Sequence, residues 1–312
     1  MTMKNNMTID KLEFPDFMKA FRAQYEYGMT ELRDFEIQEQ VVHKNNKNLH
    51  GIIIRRQGYL VAPVFYYEDF YEAYKKGTTI EQCIYKMIDF VSERVFPNES
   101  LSRIFTSWEG MKELLFVKLI NFKKNKEQLM RIPHKAFGDM AVVVQIYLDD
   151  PIIGKGAVMV DDALIDTWGI ETKTLFDTAF ENMKRYHIRT VNLLDYDKED
   201  HECDKEAPEI YVVSYDAPFP GAAAMLQTQY LKEFATTRES DFYILPVSVH
   251  EILMIQKKEG IIPDMLINML QGINTDAHLS DCMLSEEVFY LDRAAESVVY
   301  LLEEKELVLC DP

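Results

Sequence analysis

The apolar residues of this chain recur with two different periods, and the short turns between the period-two runs most limit what it can fold into. Phe35, Ile37 and Val41 share one parity, as a half-buried strand requires. Asn45-Asn46-Lys47-Asn48 is a turn signal, Ile52-Ile53-Ile54 reads as a second strand, and Gln57-Gly58 turns the chain into Tyr59–Phe65. These runs predict an N-terminal three-stranded meander. Pro63 has no N–H to give a ladder, so the third strand belongs at an edge or ends there. Further hairpins are predicted at Met140–Leu148 with Ala157–Val160, and at Phe242–Val247 with Glu251–Ile255. Ile210–Tyr215 reads as a strand, and Val288–Leu291 and Val298–Leu302 as a last pair.

Helical spacing fills the intervals. Asp10 to Tyr27 is the first candidate, and Glu68 to Lys76 the next, stopped by Gly77. Ile80, Ile84, Met87, Ile88, Val91 and Val95 then recur until Pro97, behind a Thr78/Glu81 pair with capping-box spacing. Leu114–Ile120 is apolar enough for a buried strand, and Lys123–Arg131 predicts a short helix. Longer helices are predicted at Thr172–Tyr186, Gly221–Thr236 and Pro263–Ile273. Hairpin-linked strands interleaved with helices favour an α+β fold of antiparallel or mixed sheets with packed helices over a doubly wound parallel sheet. A length of 312 residues fits two domains, with a cut between 1–110 and 111–312.

The chain has 52 acidic against 34 basic residues, a formal net charge of −18. Nucleic-acid affinity comes largely from Lys and Arg displacing counterions, so this balance argues against a phosphate-backbone binder and against anionic membranes. The charge is also uneven. Asp195–Glu209 holds eight acids and two lysines, a block of −6, and Asp276–Pro312 holds ten acids and two bases, a block of −8. Lys112–Lys135 holds seven bases and two acids, a block of +5. Cys83, Cys203, Cys282 and Cys310 are far apart and form no CxxC pair. With no apolar leader at the amino terminus and no apolar run near the roughly 20 residues that span a bilayer, a cytoplasmic location is expected.

No GxGxxG, GxxxxGK[ST] or GxSxG occurs, so the usual dinucleotide, phosphate-loop and nucleophile-elbow signatures are absent and no cofactor is expected. His250-Glu251 opens like HExxH, but Met254 stands where the second histidine should, and the segment fits a hairpin. His134, Lys135 and Asp139 lie at a strand entrance, where they could bind an anion or move protons; a helix end capped by His134 and Lys135 is the plainer alternative. The catalytic candidates are therefore His134, Asp139, His250 and Glu251. Asp195, Asp197, Glu199 and Glu206 have partial calcium-loop spacing, but Asp200 stands where the turn needs Gly. Asp292 and Glu304 with Lys305 match a permissive acid…acid-x-lysine pattern of metal-dependent nucleases. For these two acidic sets a solvated charged loop or tail is the competing explanation.

Ala62-Pro63-Val64-Phe65-Tyr66-Tyr67-Glu68-Asp69-Phe70-Tyr71 resembles the opening signature of an uncharacterised bacterial family, domain of unknown function 5688. The resemblance continues through Val117–Asn121, Ile132-Pro133-His134, Trp168-Gly169-Ile170, Gly221-Ala222-Ala223, Leu231–Ala235 and Tyr243–Pro246 to His250-Glu251. It implies a bacterial cytosolic protein that is one family unit, and it supplies no reaction, ligand or catalytic residue. The leading expectation is a non-catalytic protein-binding or regulatory module whose acidic surface meets a protein partner. A metal-dependent hydrolase or nuclease is the alternative.

Overall fold

A computed structural model describes residues 11–28, 35–57, 62–93, 106–150, 154–193, 207–276, 280–294, 298–300 and 306–307. The fold is α+β, with three antiparallel sheets. It forms two compact units: Met1–Lys44, Asn48–Arg103 and Asp150–Gly154 in one, and Asn45–Lys47, Ile104–Asp149 and Lys155–Pro312 in the other.

The first unit contains α1 (Phe14–Gly28), β1 (Phe35–Lys44), β2 (Lys47–Arg56), β3 (Val64–Tyr66), α2 (Tyr67–Lys75) and α3 (Ile80–Glu93). Its sheet is the expected meander, in the order β1-β2-β3, so β3 is an edge strand. Pro63 joins it only as an acceptor, its carbonyl taking the Ile54 N–H at 3.3 Å. Phe17, Phe21, Ile52, Ile54, Tyr67 and Met87 are buried together between sheet and helices. Fully burying each such side chain contributes roughly 1.5–3 kcal/mol. At the border of this core the Glu39 carboxylate, on β1, accepts hydrogen bonds from Arg22 and Tyr25 of α1 and from Tyr67 of α2. One acid thus ties two helices to the sheet.

Two local expectations in this unit need correction. Val41 points outward, 51% exposed, and Val42 faces inward instead, so the alternation slips by one after Glu39. The space exists because β2 carries Gly51: a Cβ there would lie 2.6 Å from Val42 Cγ2. The capping box of α3 is also one residue later than its spacing predicted. Thr79 Oγ1 accepts the Gln82 N–H at 3.1 Å, and Gln82 Oε1 accepts the Thr79 N–H at 3.0 Å.

The second unit runs through α4 (Trp108–Met111), β4 (Leu115–Asn121), α5 (Lys126–Leu129), β5 (His134–Phe137), β6 (Met140–Asp150), β7 (Gly154–Met159), α6 (Asp162–Trp168) and α7 (Thr172–Met183). It continues through β8 (Ile188–Asn192), β9 (Ile210–Tyr215), a 3₁₀ turn (Gly221–Leu226), α8 (Thr228–Thr237), β10 (Phe242–Leu245), β11 (Ile252–Gln256), α9 (Pro263–Asn274), β12 (Phe289–Leu291), β13 (Val298–Tyr300) and β14 (Glu306–Leu307). β6 is central to a four-stranded sheet, pairing with β4, β5 and β7. The seven-stranded sheet has the order β14-β13-β12-β10-β11-β9-β8. Tyr211, Val213, Phe242, Ile244, Ile252 and Met254 line one of its faces, in the same core as Val117, Leu119, Val142 and Val144 of the smaller sheet. The alternate residues Tyr243, Leu245, Leu253 and Ile255 form a second core with Leu266 and Leu270 of α9. A sheet covered on both faces has no polar side, which is why Phe242–Leu245 and Ile252–Ile255 show no alternation in sequence.

The predicted helix Gly221–Thr236 is in fact a 3₁₀ turn followed by α8. Every residue of Gly221–Leu226 is buried, and Gln227 leaves helical geometry at φ −88° and ψ 67°. His134 and Lys135 cap no helix; they are part of β5. Of the basic segment Lys112–Lys135, Lys118 is buried and Lys135 lies over the Phe176 and Phe180 rings, so these two charges do not contribute to an open basic face.

Candidate functional site

The loop joining β10 to β11, Pro246–Glu251, is set by Ser248. Its hydroxyl accepts the His250 N–H at 3.1 Å and the Glu251 N–H at 3.3 Å, which turns the chain sharply and directs His250 out of the strand. Val249 fixes the loop on both sides. Its N–H donates to the Cys282 carbonyl at 2.8 Å, and its own carbonyl accepts the Ala222 N–H at 3.2 Å. The backbone bridge from Val249 to Cys282 brings the neighbouring side chains together, and Cys282 Sγ lies 3.5 Å from His250 Nε2.

The His250 imidazole is only partly covered by its neighbours. Burial is the main cause holding its pKa below the usual histidine range, the Lys118 cation on β4 adds to it, and Glu251 opposes both. Cys282 keeps a partly exposed surface. The segment after it is tied down at several points: Asn121 Nδ2 donates to the Leu284 carbonyl at 3.1 Å, and Asn274 Nδ2 to the Ser285 carbonyl at 2.8 Å. Asp139, in the β5–β6 turn, accepts the Ser285 hydroxyl at 2.6 Å and the Glu286 N–H at 2.8 Å. Burial nonetheless leaves its carboxyl above the usual aspartate range, because the two donors offset only part of the desolvation.

The structure therefore brings His250 and Glu251 into one loop beside Cys282 and Lys118, and gives Asp139 to the segment that carries Cys282. His134 bonds elsewhere: its Nδ1 meets the Ile132 carbonyl at 2.8 Å and its ring packs edge-on against Phe122. Asp292 Oδ1 accepts the Ala294 N–H at 2.8 Å. Asp195, Asp197, Glu199, Glu206, Glu304 and Lys305 lie outside the described residues, and among those described no three His, Cys, Asp or Glu side chains are grouped to hold a metal ion. Cys282 was not legible as a partner of His250. They are 32 residues apart, on two loops that no short spacing links.

A second feature is on α9. Leu266 and Leu270 face the core, but Met265 and Met269, one turn apart along another side, and Ile262, the extended residue just before the helix, are 57%, 39% and 52% exposed. Glu259 and Asp264 are exposed at the start of this stripe and Asp276 just past its end. Of the nearby lysines, Lys257 Nζ donates to the Tyr290 hydroxyl and Lys258 Nζ to the Ala207 carbonyl.

Fold and loops together define an α+β protein with a partly exposed thiol–imidazole pair and an uncovered apolar stripe. The chain belongs to a family of unknown function, DUF5688, which it matches over residues 14–293. No curated protein and no solved structure matches it.

Proposed function

We propose that this protein is a non-catalytic binding module that takes a basic amphipathic helix of a protein partner on the exposed side of α9. The observation that supports the reading is the Ile262–Met265–Met269 stripe with carboxylates at both ends. Methionines adapt their shape to different apolar surfaces and recur where one groove accepts several helices. The net charge of −18 attracts a cationic partner over distances of about a Debye length, roughly 10 Å at 0.1 M salt. The same charge disfavours nucleic acid and anionic lipid as occupants.

Titration calorimetry with an amphipathic Leu/Lys helical peptide tests the proposal. Binding should weaken as salt rises, and the Met265→Ser/Met269→Ser double variant should lose about tenfold or more in affinity while melting like the parent. Absence of peptide binding at low salt, or equal affinity in the variant, overturns it.

A further inference from the structure

We infer that Cys282 and His250 form a reactive thiol–imidazole pair, a site of covalent modification by low-molecular-weight disulfides. Three observations carry this. The Sγ–Nε2 separation of 3.5 Å is within the reach expected of a nucleophile and its base in an unliganded protein. The pair is held in place by backbone, since the Val249 N–H bonds the Cys282 carbonyl and Ser248 pins the His250 N–H. The thiol also keeps an exposed surface, whereas Cys83 is only 1% exposed.

Burial first and the Lys118 cation on β4 second hold the His250 pKa below the usual histidine range, which leaves Nε2 unprotonated and able to accept a proton from the thiol. Glu251 on the same loop opposes this, but it is the smallest of the three influences on His250. In the reaction the Cys282 S–H bond breaks and its proton passes to Nε2. The thiolate attacks one sulfur of the disulfide, a new S–S bond forms to Cys282, and the old one breaks. The departing thiolate takes the proton back from the imidazolium, so one thiol and one disulfide yield a mixed disulfide and a new thiol. Cys282 is oxidised and the incoming disulfide is reduced.

Exposure of the intact protein to dipyridyl disulfide, with peptide mapping by mass spectrometry, tests the assignment. Cys282 should react at neutral pH about tenfold or more faster in the parent than in His250→Gln, with both proteins confirmed folded by their melting curves. Equal rates in the two folded proteins overturn the inference. If His250→Gln does not fold, the parent decides alone: Cys282 reacting no faster than free glutathione at neutral pH overturns the inference, and a clearly faster reaction supports it.

Discussion

A methyl group placed on Gly221 would lie 2.7 Å from the Tyr215 nitrogen, 2.8 Å from the His250 carbonyl oxygen and 2.9 Å from Ser214 Cβ. Two of these neighbours are backbone and cannot swing away, so the glycine lets the Gly221–Leu226 turn seat against the loop that carries His250. Gly221→Ala should therefore lower stability by about 1–3 kcal/mol, read as a drop in melting temperature. Gly272, on the exposed side of α9, has nothing within 4 Å of where a Cβ would be. There the substitution removes only a helix-weakening residue, and Gly272→Ala should raise stability by about 0.5–1 kcal/mol. A melting point that moves the same way for both would show that the close approach at Gly221 is not what constrains it. In sequence the two glycines look alike. What separates them is the Tyr215 and His250 backbone, brought in from other segments.

Among the elements, α3 and β1 carry the clearest consequences. The Thr79–Gln82 pair satisfies N–H groups that the first turn of α3 leaves without helical partners. Thr79→Ala should cost about 0.5–2 kcal/mol, and Thr78→Ala much less, in denaturant unfolding. Comparable losses in the two variants would restore the cap to Thr78, where the sequence spacing places it. Glu39 offers a pH test. Burial alone would raise its pKa, but the hydrogen bonds from Arg22, Tyr25 and Tyr67 bring it below the usual glutamate value. A depressed folded-state pKa gives stabilisation that is present above the unfolded value and disappears as pH falls through the folded one. Melting temperature should fall as pH drops below the ordinary glutamate value, and Glu39→Gln should flatten that fall while costing about 1–3 kcal/mol at neutral pH. An unchanged acid slope in the variant would remove Glu39 from the account. The same cluster pushes the Tyr25 hydroxyl up to about 12, chiefly through burial and then through its bond to the carboxylate. The long runs were readable for local reasons: helical spacing sets the buried face of α3 and α9, and β6 is a continuous apolar run buried on both faces. Short elements such as β5, β8 and α6 were not, because four to seven residues hold too little of a period. The Asp161 cap and the left-handed Gly169 that bound α6 are nevertheless present in the sequence.

At the scale of the molecule, the charge excess is the governing quantity. Like charges on a chain of net −18 repel each other most in the folded state, where they are closest. Raising sodium chloride from about 10 mM to about 200 mM should therefore raise the melting temperature, since the screening length shortens over that range. A fall with salt would mean that attractive pairs such as Arg22–Glu39 and Arg185–Glu113 outweigh the repulsion. Composition, the α+β class, the meander and the framework of long helices and strands follow from the sequence itself, because each depends on neighbours within a few residues. The pairing of Cys282 with His250, the inward turn of Val42 over Gly51 and the exposure of Met265 and Met269 were decided only by the tertiary structure. Each depends on which distant segment occupies the adjacent space, and no local period records that.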